Sequence, residues 1–185
     1  MDFAVIDIET TGLKPHQHEI IEVAIITKDM QYHVKVEPQF IEFADEKALE
    51  INGYTPEEWT GAIPSSVVAC KTAEILHGKV IIGHNPKFDM SFLMELWELH
   101  NCSPYIDHRY VDTVQLAREH LPKCPSYKLD IIREYLGWSR LGAHSALVDT
   151  KDSLRLYRTL WRCSWIKRKY FEYRYKLLCW VGMIR

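Results

Sequence analysis

The sequence predicts an α/β protein in which a layered sheet is flanked by helices. Three strand-like patterns occupy the N-terminal region, and helical patterns then alternate with short apolar segments. Strands are expected near residues 2–9, 19–27, 32–37, 79–83 and 109–111. Helices are expected near residues 45–51, 65–77, 88–100, 113–120, 127–136 and 145–162.

The character of single elements follows from their residue patterns. The first strand is an almost unbroken apolar run, which is typical of a buried strand. The third strand alternates, with Tyr32, Val34 and Val36 separated by polar residues, so we expect a half-exposed edge strand. Gly78 and Gly137 follow helical segments and are positioned as C-terminal stops, because glycine readily adopts the left-handed conformation at which many helices end.

Length and composition favour a single compact domain with a sizeable core. The chain has 185 residues, of which 47% are hydrophobic. Its five cysteines form no CxxC pair, their number is odd, and the N-terminus lacks the pattern of a signal sequence, so a reducing cytoplasm or a nucleoid is the expected setting. We expect one domain over residues 1–160 and a C-terminal extension over residues 161–185.

The C-terminal extension differs in charge from the rest of the chain. The net charge is −2 overall, but residues 161–185 contain seven basic residues and one acidic residue, so they carry +6 and the preceding residues −8. Seven aromatic residues are interleaved with these charges. This composition fits a surface for single-stranded nucleic acid, a helix packed on the domain or on a partner, or a membrane-surface helix. No transmembrane segment is expected, because the apolar stretch at residues 177–184 is far shorter than the about 20 residues that span a bilayer.

Five residues in three separate segments form a candidate catalytic site: Asp7, Glu9, Asp89, His144 and Asp149. Asp7 and Glu9 project from the same face of a strand, and two carboxylates this close repel each other unless a cation lies between them. Carboxylate oxygens favour Mg²⁺ or Mn²⁺. Two such ions, about 3.5 to 4 Å apart, can stabilise the attacking and the leaving oxygen of a phosphodiester.

His144 is the candidate general base. Histidine has an unperturbed pKa of about 6.5, which suits it to take a proton from water near neutral pH. It precedes Asp149 by five residues, which would separate the two side chains by about 140° on a continuous helix. We therefore expect His144 on the loop after Gly142, and Asp149 inside the next helix, on an inward-facing stripe shared with Ala146, Ser153, Leu156 and Leu160.

Each of these residues also has an ordinary structural interpretation. Acidic residues on strands usually face solvent, Asp89 fits a helix N-cap, and His144 fits an ordinary loop histidine. Unpaired charge on a buried strand is costly, however, which favours metal binding by Asp7 and Glu9. The other histidines show no metal-ligand spacing and are expected at surface or structural positions, with His84 orienting its segment. The sequence does not predict a zinc site.

Three ordered motifs resemble those of a known enzyme family. They are DIETTGL at Asp7–Leu13, HNPKFDMSFL at His84–Leu93 and HSALVD at His144–Asp149, and the segment Asp112–Arg118 adds a further similarity. Together they resemble the DEDD-type 3′→5′ exonucleases, in the histidine-containing branch (DEDDh) that includes the proofreading epsilon subunit of bacterial DNA polymerase III and exodeoxyribonuclease X. The resemblance covers roughly residues 2–160 and implies a ribonuclease-H-like fold.

The resemblance also implies a role for each matching residue. Asp7, Glu9 and Asp149 would hold one metal ion, Asp7 would bridge to a second, Asp89 would support the second through water, and His144 would be the general base. Further residues would surround the terminal nucleotide: Thr10, Thr11, Asn85, Leu13 as a wedge, and Tyr54.

Two positions depart from the family pattern. Pro86 stands where the family more often has a small residue, and its missing N–H alters one potential substrate contact. The segment Ile51–Thr55 stands where relatives often carry a His-Gly-Ile-Thr-like loop, so Tyr54 is either a substrate residue or a packing aromatic.

The expected function is a metal-dependent 3′→5′ exonuclease that releases nucleoside monophosphates from single-stranded or frayed DNA. RNA trimming by the same catalytic frame is an alternative, because the motifs do not distinguish deoxyribose from ribose. A hypothesis of another class is a docking module that is recruited to a polymerase or repair complex through residues 161–185. Several members of the family are dimers, so the resemblance also allows a homodimer.

Overall fold

The computed structural model describes residues 2–139, 141–161 and 165–180. A mixed five-stranded sheet lies at its centre, in the order β3-β2-β1-β4-β5. The first three strands pair antiparallel, whereas β4 and β5 run parallel to β1. The strands are β1 (Phe3–Thr10), β2 (Ile20–Ile26), β3 (Gln31–Lys35), β4 (Val80–Gly83) and β5 (Asp107–Asp112). All five predicted strands are confirmed.

The described helices flank this sheet, and a short 3-10 helix (Ile41–Phe43) precedes the first of them. They are α1 (Glu46–Asn52), α2 (Ser65–Leu76), α3 (Pro86–Leu99), α4 (Thr113–His120), α5 (Leu129–Leu136), α6 (Ala146–Leu160) and α7 (Trp165–Trp180). The predicted helices are confirmed within a few residues, and the mixed sheet with flanking helices agrees with the ribonuclease-H-like fold that the resemblance implies. None of the described helices is both long enough and apolar enough to cross a membrane.

The strands occupy the positions that their residue patterns predict. On the central strand β1, Ala4, Val5 and Ile6 are completely buried, because helices cover both faces of the sheet. Strand β3 is an edge strand, where Tyr32 and Val34 are half-buried and pack against the core. Helix α5 ends at Gly137, whose φ of 66° is the left-handed conformation expected of its stop.

Helix α3 begins at Pro86, two residues earlier than expected. Proline is well suited to the first turn of a helix, because its missing N–H would have no intrahelical partner there. Asp89 consequently lies inside the first turn of α3, and the helix cap is Asn85. The interpretation of Asp89 as a helix N-cap is therefore wrong.

Helix α7 extends the chain beyond the predicted domain and packs partly against it. Phe171 and Tyr175 contact the apolar cluster around α5, and the rings of Tyr135 and Tyr175 lie 4.6 Å apart between centroids. Tyr170 and Tyr173 are exposed instead. These four aromatic residues thus divide between packing and a solvent-facing surface, and residues 162–164 and 181–185 of the extension lie outside the described part. The domain boundary at 160/161 stays a prediction.

Candidate active site

Three carboxylates converge where β1 meets α6. Asp7 and Glu9 extend from the same face of β1, and Asp149 lies in the first turn of α6, which packs across the sheet. One oxygen from each of the three lies within 4.8 Å of the others. Residues 142 sequence positions apart are thus brought together as potential ligands of one cation.

These carboxylates lie in a strongly unfavourable electrostatic environment. Burial, followed by the charges of Asp149 and Glu22, raises the pKa of Glu9 to about 8. Burial, followed by Asp89 and Asp149, raises the pKa of Asp7 well above its usual range. A bound divalent cation would relieve both effects, because it would compensate the charges that burial and mutual repulsion disfavour.

Asp89 supports this group from α3. Its Oδ1 accepts a hydrogen bond from the backbone N–H of Ile8, between Asp7 and Glu9, at 3.1 Å. Burial raises the pKa of Asp89 to about 7, although this hydrogen bond opposes the shift. Asp89 is therefore fixed directly behind the β1 carboxylates, but it is not one of the three that share the close arrangement.

A buried arginine, Arg133 of α5, holds Asp149. Its Nη2 donates to Asp149 Oδ1 at 2.6 Å, its Nη1 to Asp130 Oδ1 at 2.7 Å and its Nε to Asp152 Oδ2 at 2.8 Å. Only 1% of the Arg133 side chain is exposed. Burial alone would lower its pKa, but the hydrogen bonds and the carboxylate charges outweigh burial and raise it. Burial also raises the pKa of Asp149, and Arg133 opposes that shift.

His144 lies on the loop before α6, as expected, with a positive φ of 64°. Its Nε2 lies 3.5 Å from Asp130 Oδ2, and about half of its side chain (49%) is exposed. Asp130 thus contacts both Arg133, which holds Asp149, and the candidate base His144. This one carboxylate therefore connects the first and the last residue of the third motif.

A second buried acid, Glu22 of β2, anchors the same loop. It lies directly opposite Glu9 in the β1–β2 pairing, on the same face of the sheet. Its Oε1 accepts a hydrogen bond from Ser145 Oγ at 3.1 Å and lies 2.6 Å from His33 Nε2. Only 5% of its side chain is exposed. Because Ser145 follows His144, Glu22 ties the base-bearing loop to the sheet.

The predicted nucleotide-contacting residues occupy different kinds of position. Thr10 and Thr11 are buried, and their hydroxyls hydrogen-bond within the chain, to Gly12 and Glu19 respectively. Leu13, just beyond β1, is 75% exposed, as a wedge requires.

Two more of these predicted residues lie on loops. Asn85 is exposed in a left-handed conformation, and its N–H donates to Asp112 at 3.0 Å. Tyr54 packs on the ring of Trp59 at 4.9 Å between centroids, which supports its interpretation as a packing aromatic.

His84 orients the second motif from the protein interior. Its Nδ1 lies 2.9 Å from Thr113 Oγ1, and its Nε2 lies 2.8 Å from the carbonyl oxygen of Tyr127. Burial lowers its pKa, against the opposing effect of the Tyr127 carbonyl. The imidazole therefore joins β4, α4 and the segment before α5, which is a structural role.

The donor set fits a hard divalent cation. Three partly buried carboxylates with raised pKa values offer oxygen ligands only, and these suit Mg²⁺ or Mn²⁺. Asp7, Glu9 and Asp149 would hold the ion directly.

Sequence reasoning missed Arg133 and Glu22. A charged residue in an apolar helical stripe is a usable signal: Arg133 is flanked on α5 by Leu129, Ile132 and Leu136, all buried. Glu22 stands likewise within an otherwise apolar strand. In both cases the sequence indicates a buried charge, but the partners lie on other elements and have no local pattern.

Comparisons with known proteins agree with this geometry. Residues 4–157 match the RNase T exonuclease family. The chain is 33% identical over 160 residues to the PolC-type DNA polymerase III of Thermotoga petrophila, a match that covers 84% of the chain and 11% of that protein. It is 28% identical over 164 residues to the corresponding Clostridium perfringens protein, with 85% and 11% covered.

Solved structures share the fold. The zinc-bound form of E. coli exonuclease I in complex with single-stranded DNA matches with a TM-score of 0.77 and 21% identity, over 93% of this chain and 42% of that one. The same enzyme in complex with a dA16 oligonucleotide matches with a TM-score of 0.74 and 20% identity, over the same shares of the two chains. The chain spans only about a tenth of the length of the curated relatives it matches. It belongs to the DEDD-type 3′→5′ exonuclease family.

Proposed function

We propose that this chain is a metal-dependent exonuclease domain that removes nucleoside monophosphates from the 3′ end of single-stranded or frayed DNA. The observation that carries the proposal is the convergence of Asp7, Glu9 and Asp149, with one oxygen from each within 4.8 Å of the others. In an exonuclease family, such a partly buried acidic cluster is suited to bind metal at the scissile phosphate.

Two divalent ions, Mg²⁺ or Mn²⁺, are proposed as the cofactors, and they would stabilise the charge that develops on the attacking and the leaving oxygen. Asp89, buried behind β1, would support the second ion. His144 would accept the proton of the attacking water. Its half-exposed ring allows access to solvent, and the Asp130 carboxylate, 3.5 Å from its Nε2, would favour the protonated imidazole.

The surrounding residues would position the 3′ end. Leu13 projects into solvent at the end of β1 and would splay the terminal nucleotide, while Thr10 and Thr11, whose hydroxyls are already engaged, would contribute mainly by shaping the loop. Asn85 would contact the terminal nucleotide from the start of α3. Tyr54, which packs on Trp59, would contribute through the position of its loop.

DNA is the preferred substrate of the proposal. The relatives are DNA polymerases, and the similar solved structures contain DNA oligonucleotides. These relatives also favour a polymerase or repair complex as the partner, with α7 as a candidate contact. RNA trimming is the alternative, and the distinction depends on how closely the site approaches the 2′ position.

The test is digestion of matched 5′-labelled DNA and RNA strands with Mg²⁺ or Mn²⁺. We expect a ladder that shortens from the 3′ end of DNA, and loss of this ladder with EDTA or in the Asp149→Asn variant. Asp29→Asn, at the exposed turn between β2 and β3, is the matched control and should digest DNA normally. DNA left intact by the folded native protein, or equal digestion by Asp149→Asn, would contradict the proposal.

A further inference from the structure

A groove of about 810 Å³ lies between α6 and α7, on the outer side of α6. Its walls are basic on one side and aromatic on the other, and the residues that determine this character are Lys151, Arg155, Arg158, Tyr170 and Phe171. No residue of the candidate active site lines it.

The positive charges of this groove are not neutralised within the described part of the chain. Lys151, Arg155 and Arg158 are exposed and form no ion pair with any described residue. The neighbouring acid, Asp152, points inward to Arg133 and therefore does not offset them. Arg155 is held in place by the ring of Trp138, at 4.1 Å from the ring centroid. The groove thus presents three positive charges that no carboxylate of the described residues pairs with.

The aromatic wall combines a fixed ring with an available one. Phe171 packs against the apolar cluster around α5, whereas Tyr170 beside it is 61% exposed, and the two rings lie 5.9 Å apart between centroids. An exposed ring on a firm support is a stacking surface for a planar base. Cations for phosphates and a ring for bases are the two requirements for binding a single strand.

Helix α6 connects this groove to the candidate active site. With a rise of 1.5 Å per residue, Lys151, Arg155 and Arg158 lie about 3, 9 and 13 Å beyond Asp149 along the helix axis. They occupy the opposite side of the helix, about 180 to 240° around the axis. A strand whose 3′ end reaches Asp149 would therefore have to pass around α6 to enter the groove.

We propose that this groove binds the upstream part of the single-stranded nucleic acid whose 3′ end occupies the active site. The arginines and Lys151 would bind phosphates, and Tyr170 would stack on a base. This inference rests on the proposed function for the identity of its ligand. It assigns a second binding site to the chain, separate from the carboxylates, and makes affinity depend on strand length.

The first experiment measures binding of a fluorescent oligothymidylate of about 15 nucleotides by anisotropy, in EDTA, over a range of salt concentrations. The full chain is compared with Arg155→Gln/Arg158→Gln. Removing two phosphate contacts should decrease the salt slope of log K by about 1.4, which corresponds to about 25-fold weaker binding at 0.1 M salt if affinities converge near 1 M. The matched control, Lys28→Gln/Lys71→Gln, removes two lysine charges outside the groove lining, at the exposed Lys28 and at Lys71, whose side chain is 42% exposed, and should retain the native slope.

A second pair of variants tests the aromatic wall. Tyr170→Ala should weaken binding by about tenfold, whereas Tyr173→Ala, at a similarly exposed position of α7 outside the groove lining, should bind like the native chain. Equal loss in both variants would instead indicate a general effect on α7 and would count against stacking in the groove.

The outcomes separate this inference from the proposed function. An unchanged salt slope and affinity in Arg155→Gln/Arg158→Gln would overturn the groove as a nucleic-acid site, even if the native chain digests DNA. Failure of the native chain to digest any strand, measured separately with metal, would overturn the proposed function. Binding of the groove to anionic lipid vesicles but not to oligothymidylate would also overturn the inference.

Discussion

Without metal, the stability of this protein should fall as pH rises, because its site carboxylates are easier to protonate when folded. Glu9 has a pKa of 4.5 as an ordinary side chain and about 8 in the folded protein. A group whose pKa is raised by folding contributes stability below its unfolded pKa and loses it as pH rises through the folded pKa. For Glu9, the window of loss therefore runs from about pH 4.5 to 8.

The magnitude follows from these two pKa values. Between pH 5 and pH 8 the contribution of Glu9 to the free energy of unfolding should fall by about 3 to 4 kcal/mol. Asp89, with a folded pKa of about 7, should act in the same direction. The two effects should not add fully, since both groups respond to the same acidic cluster.

The measurement is urea unfolding at pH 5 and pH 8, in EDTA and in Mg²⁺, for the native chain and Glu9→Gln. The variant should gain stability relative to the native chain as pH rises, by about 3 to 4 kcal/mol over this window, and Mg²⁺ should reduce the native loss by binding the ionised carboxylates. Glu57→Gln, at an exposed position, is the control and should follow the native curve. A difference between native and Glu9→Gln that is constant from pH 5 to pH 8 in EDTA would refute the reasoning.

Three further substitutions test the supporting residues. Arg133→Met should lower the free energy of unfolding by about 3 to 5 kcal/mol, because three aspartates lose a buried partner; a loss below about 1 kcal/mol in urea unfolding would argue against this role. Ser145→Ala should lower the free energy of unfolding by about 1 kcal/mol and lower kcat, because the loop of His144 loses its hydrogen bond to Glu22. An unchanged kcat would show that Glu22 does not act through this loop. Leu13→Ala should leave the melting temperature unchanged but slow the digestion of paired 3′ ends more than the digestion of single strands. An equal change in the two rates, relative to the native chain, would exclude a wedge.

The fold was largely predictable because its elements carry strong local patterns. The apolar run of β1 and the alternation in β3 follow directly from burial on two faces and on one face of the sheet. Boundaries were less predictable: α3 starts at Pro86 because Asn85 adopts a left-handed conformation, which no periodicity indicates. The strand order depends on pairing between distant segments, which no local pattern in the sequence indicates.

The site residues that belong to sequence motifs were predictable, whereas those that depend on packing between distant elements were not. Asp7, Glu9 and Asp149 stand in recognisable motifs, and the structure brings them together. Arg133 and Glu22 have their important partners 16 and 123 positions away, on elements whose approach only the fold determines. A charged residue in an apolar segment indicates that a buried partner exists, but it does not identify the partner.

The charges around the site differ between Asp149 on α6 and the two carboxylates on β1. Asp149 already has a cationic partner in Arg133, which donates a hydrogen bond to its Oδ1 and stabilises its ionised form. Asp7 and Glu9 form no ion pair with any described residue, and each also faces the other acids. The need for an external cation is therefore greatest on β1. Metal affinity should depend most strongly on the β1 carboxylates, while the Arg133 network sets where Asp149 stands when the ion binds.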